Sequence, residues 1–151
     1  MTSIFTITLI AHILLGIAGV VSSYVVWLGL LKSKQSLSFL RTTSIVATVL
    51  YFASWLSGGY YYALYYGAHV KPVILAGAYP WAHKFFIEVK EHVFMFLPFM
   101  ALATVLALYV VNEQGELNER SRKWLTLLVG ITTIIGIFIT LSGVVVSGAV
   151  R

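Results

Sequence analysis

A chain of 151 residues that is 60% hydrophobic and only 10% charged carries more apolar surface than a soluble domain of its length can bury. Its lack of cysteine excludes a disulfide framework, a thiolate metal site and a covalently attached haem. The net charge of +5 is divided among short connections, where it reports orientation in a bilayer and not nucleic-acid binding.

Four apolar runs, 4–31, 42–66, 80–111 and 124–149, each reach the ~20 residues that a helix needs to cross hydrocarbon. The first, within "MTSIFTITLIAHILLG", has no basic residues before it and is longer than a signal-peptide core, so it is expected to be retained as a helix. One face of it carries His12, Gly16, Gly19 and Ser23, small or polar residues that let neighbouring helices approach closely in lipid. "KSKQSLSF" then links it to the second run, with Lys32, Lys34 and Arg41 in the connection.

The second run ends in "GGYYYALYYG", an aromatic belt at the headgroup level. Ser54, Gly58, Tyr61 and Tyr65 share a face with Ala47 and Tyr51, so their hydroxyls could also border a site. "GAHVKPVILAGA" reads as the next loop, bringing His69 and Lys71.

The third run opens with the densest ionisable stretch of the chain, "YPWAHKFFIEVKEHVFMFLP". Residues 93–111 already cover most of a ~30 Å hydrocarbon core, which leaves 80–92 at or just inside the interface, where charged side chains can snorkel. At 100° per residue, Lys84, Glu88, Glu91 and His92 fall within an arc of about 100°. Lys84 to Glu88 and Glu88 to His92 are i, i+4 steps, a ladder that positions the helix in its plainest reading. His83 falls on the other side and reads as an interfacial residue beside Trp81. Pro98 removes a backbone hydrogen bond and predicts a kink near Phe94.

"NEQGELNERSRK" follows, with Arg120, Arg122 and Lys123, and the fourth run carries Thr132, Gly136, Thr140, Gly143 and Ser147 on one face. Basic residues in the first and third connections place those on the cytoplasmic side and both termini outside. Short links make neighbouring helices antiparallel, so the expected fold is all-α: an up-down four-helix transmembrane bundle forming one domain over 1–151.

His12 lies at a depth similar to that of His92, so two helices offer imidazoles at one level, and imidazole in hydrocarbon is a functional-site signal. Two chemistries follow. His12 and His92 could be the axial ligands of one b-type haem, with Glu88 orienting His92 and Lys84 near a propionate. Alternatively His12, Glu88, His92 and Glu91 hold a single copper, zinc or iron ion, with His69 as a further ligand. No Gly-rich phosphate loop and no nucleophile with a base at recognisable spacing is present, which points away from conventional enzyme chemistry. An ion path would need an ionisable residue in the inner half of the membrane, and none is placed there.

"WAHKFFIEVKEH" at the start of the third run and "ITLSGVVVSG" near the end of the fourth give the chain a resemblance to small four-helix membrane proteins linked to respiratory-oxidase assembly. More loosely it resembles the four-helix b-type cytochromes, although di-haem members place histidine pairs near both membrane faces and this chain does not. The resemblance implies a prokaryotic plasma membrane and the handling of haem, copper or quinone. The competing class is an accessory or assembly subunit of a respiratory complex with no cofactor of its own, whose polar helix end docks a partner protein.

Overall fold

The computed structural model describes residues 3–32, 35–110 and 117–149. Lys34 of the first connection and the whole "NEQGE" stretch lie outside them. Among the described residues every regular element is helical: α1 (Ser3–Leu31), α2 (Leu37–Tyr61), α3 (Lys71–Ala76), α4 (Glu88–Phe94), α5 (Phe96–Val110) and α6 (Glu119–Gly148), with π-helical stretches at Tyr62–Val70 and Ala82–Ile87.

Four helical units are long and apolar enough to cross a membrane: Ile4–Leu31, Leu37–Ala76, Ala82–Val110 and Glu119–Gly148. Ile7, Leu14, Leu56, Phe99, Leu106 and Ile134 are among the many large apolar side chains left exposed on them, the surface expected where the surrounding solvent is lipid. The chain has the build of a multi-pass membrane protein. α1 and α5 each pack against both α2 and α6, which makes a four-helix bundle.

The second unit runs further than the sequence suggested. The "GAHVKPVILAGA" segment is helical through Ala76: Pro72 falls in the first turn of α3, directly after the π-helical stretch, and Gly77 ends the helix. Ile74, fully buried, anchors this extension in a cluster with Tyr66, Ala82, Ile87 and Val146. At about 1.5 Å per residue the 40-residue unit is close to twice the length that hydrocarbon requires, so one end of the bundle carries a helical cap.

The third unit breaks at Met95, between α4 and α5. Pro98 has no N–H to offer the Phe94 carbonyl, so the break lies where the sequence places the kink. α6 starts at Glu119, five residues before the apolar run, because the Asn118 side chain accepts from Ser121 N at 2.8 Å and caps it.

The core is layered. At the arginine end, Val26, Leu30, Leu40, Leu108, Leu117, Leu125 and Val129 form an apolar plug. Tyr51, Leu97, Ala101 and Ile139 form the next layer. The small-residue faces do the packing expected of them: Gly19 lets the Tyr51 ring come within 3.0 Å of where a Cβ would stand, and Ser23, Thr132 and Gly136 are buried.

Candidate functional site

The bundle beyond the Tyr51 layer holds two polar groupings, one inside the helices and one in the cap. The inner grouping is built on His12. Gly58 on α2 makes it possible, because a Cβ there would fall on the imidazole ring. The Nδ1–H of His12 donates to the Ser54 carbonyl at 2.9 Å, while the Ser54 hydroxyl donates to the His12 carbonyl at 2.9 Å. A carbonyl can only accept, so this bond fixes the ring proton on Nδ1 and leaves Nε2 with its lone pair. Metal-ligating histidines are held in just this way, one ring nitrogen tied to a carbonyl and the other presented.

Opposite His12 stands Phe94, edge-on with ring centroids 5.9 Å apart, and Lys90 lies one helical turn before it on the same side of α4. Lys90 is half-buried, and its Nζ lies 3.7 Å from where a Cβ on Gly143 of α6 would stand. Among the described residues it has no carboxylate or hydrogen-bond partner. Sequence reading passed over Lys90 because it falls outside the arc of Lys84, Glu88, Glu91 and His92; a lysine on the apolar side of an amphipathic helix was the available signal.

That arc faces away from the core. Lys84, Glu88, Glu91 and His92 are all exposed. The imidazole of His92 donates from Nδ1 to the Glu88 main-chain carbonyl at 2.7 Å, so the expected side-chain ladder is replaced by a bond within the helix backbone. Lys84 and Glu88 form no ion pair among the described residues, since the π-helical winding of Ala82–Ile87 takes i and i+4 out of line. His92 is two residues from Lys90, about 200° around an α-helix, and so leaves α4 on the far side from His12. The structure therefore does not bring the two imidazoles to one face. Nor are His12, Glu88, His92 and Glu91 gathered as a metal site: no three His, Asp or Glu side chains among the described residues could hold one ion.

The tyrosines are redistributed for a similar reason. Tyr61 and Tyr65, expected to border the site, pack instead on each other, with ring centroids 5.6 Å apart; Tyr65 also packs on Phe5, at 4.9 Å, and stacks on His69, at 4.5 Å. It is Tyr66 that meets the third unit: its hydroxyl is 3.0 Å from Nδ1 of His83, and both residues are at least 95% buried. The Tyr62 ring stacks on that of Tyr66, with centroids 5.2 Å apart. The buried Tyr66–His83 pair joins the two π-helical stretches, a winding that recurs at functional sites, and a helical wheel of 3.6 residues per turn cannot register it.

Tested against a haem, the inner grouping fits in part. His12 has the fixed tautomer and free Nε2 of a ligand, and Lys90 is a cation able to meet an acidic group, but His92 does not fit as a second ligand on the same iron. Against known proteins, the chain has no match among protein-family models, curated proteins or solved structures.

Proposed function

We propose that this chain is an integral membrane protein that binds a redox cofactor at His12, in the outer half of an antiparallel bundle whose two termini and helical cap lie outside a prokaryotic plasma membrane. Lys32 and Arg41 at one end of the bundle support that orientation. The single observation that carries the function is the Nδ1–H bond from His12 to Ser54, which leaves a neutral imidazole with an open Nε2 inside a membrane helix bundle.

A b-type haem is the cofactor these residues suit best, with one protein imidazole at the iron. His12 would hold it, Lys90 would neutralise a propionate, and Phe94 would give an apolar flank beside the imidazole, while the glycines at 16, 58 and 143 make room for Ser54, His12 and Lys90 themselves. Bound haem supplies reversible one-electron transfer. Lys90 would also suit a quinone, whose carbonyl oxygen accepts from a cationic donor, while Nε2 of His12 would accept from the hydroxyl of the reduced quinol. Protein purified from its native membranes should show a Soret band, or yield quinone to organic solvent, that is lost in His12→Ala and kept in His92→Ala.

A second reading has its own support. The exposed Lys84, unpaired among the described residues, and the exposed Glu88 and His92 form a polar face at the start of the third unit. Such a face suits an accessory or assembly subunit of a respiratory complex, docked there on a partner protein. A colourless, cofactor-free preparation whose partner subunits stop copurifying in a Lys84→Glu, Glu88→Lys variant would favour it over cofactor binding.

A further inference from the structure

Between the leucine plug and the Tyr51 layer lies a cavity of about 10 Å³, to which each of the four membrane-crossing units contributes one hydroxyl: Ser23, Ser44, Thr104 and Thr132. All four side chains are at most 4% exposed. Three of them already have hydrogen-bond partners. Thr104 donates to the Met100 carbonyl at 3.0 Å, Thr132 to the Leu128 carbonyl at 2.8 Å, and Ser23 pairs with the Tyr51 hydroxyl at 3.1 Å. Their oxygens keep lone pairs that can accept. Ser44 Oγ is different: it is buried and has no hydrogen-bond partner among the described residues.

An orphaned hydroxyl in a protein core keeps its full desolvation cost, and lipid around the bundle offers it no substitute partner. The missing partner must accept from Ser44 or donate to it, donate to the acceptors around it, and fit the volume of roughly one water. A metal or alkali cation would bring a charge, and no acidic side chain is among the buried polar residues of the described chain to balance it.

We propose that this cavity binds one water molecule, which joins all four membrane-crossing units through Ser23, Ser44, Thr104 and Thr132. The water forms a polar layer between two apolar ones. Apolar side chains alone let membrane helices slide against one another at little cost, whereas a shared water is satisfied in one register. The site is independent of whatever His12 binds.

The test uses the full chain in detergent micelles, with its threonine methyl groups isotopically labelled. Nuclear Overhauser cross-peaks between water and the Thr104 and Thr132 methyl groups are expected in the wild type. They should vanish in Ser44→Val, whose added carbon fills the space, and, should that variant not fold, the Thr104 cross-peak should vanish in Thr132→Val, which keeps the shape and removes an acceptor. A wild type without cross-peaks, or cross-peaks that persist in the filled variant, overturns the proposal. So does a Tm several degrees higher in sodium chloride than in choline chloride at equal ionic strength, which would assign the cavity to a cation.

Discussion

The two ends of the bundle handle their ionisable residues in opposite ways. At the arginine end the cations are bound to the backbone: Arg41 donates from Nε and Nη2 to the Leu108 carbonyl at 3.1 and 3.0 Å and sits 4.4 Å over the Tyr109 ring. Arg122 donates to the carbonyls of Leu30 and Lys32. These carbonyls close α1 and α5, where the helix dipole favours a cation, and behind them stands the leucine plug. The charges there are structural. At the tyrosine end, Lys84 and Lys90 have no backbone or carboxylate partner among the described residues, and the helices are wound as π-helix in two places. The difference separates a closed end from the end where the proposed site lies.

If that division holds, stability and binding should respond to different substitutions. The largest stability loss should come from the plug: Leu108→Ala, at a fully buried position, is expected to cost about 2–5 kcal/mol in reversible denaturant unfolding, with cofactor content per folded chain unchanged. Gly58→Ala should cost roughly 1–3 kcal/mol, because the added methyl displaces the His12 ring, and should also lower cofactor content, which can be read from the ratio of absorbance to protein. Tyr66→Phe removes one buried hydrogen bond to His83, for about 0.5–1.5 kcal/mol in the same unfolding assay. His92→Ala, on the exposed side of α4, should fall within about 0.5 kcal/mol of the wild type. A Leu108→Ala variant that lost cofactor as fully as Gly58→Ala would erase the distinction between the ends.

The sequence was most legible where one period governs. Apolar runs longer than a bilayer, small-residue faces and the break ahead of Pro98 all follow from α-helical spacing and backbone hydrogen bonding. His12 was legible too, because a lone imidazole on a glycine-lined face needs a partner, and Ser54 supplies it. What could not be read was anything downstream of a π-helical turn. Winding at Tyr62–Val70 and Ala82–Ile87 accompanies contacts made by Tyr66 instead of Tyr65, and by His83 instead of the outward Glu88 and His92. Reading charge as an interfacial ladder also concealed Lys90, whose neighbours are set by tertiary packing and not by its own helix.

The central claim is that a single imidazole, His12, holds the cofactor. Titrating haem b into purified wild type, His12→Ala and His92→Ala, and following the Soret shift, tests it most directly. The account predicts saturation near one haem per chain in the wild type and His92→Ala, and no saturable shift in His12→Ala; equal loss in both variants, or in neither, would contradict it.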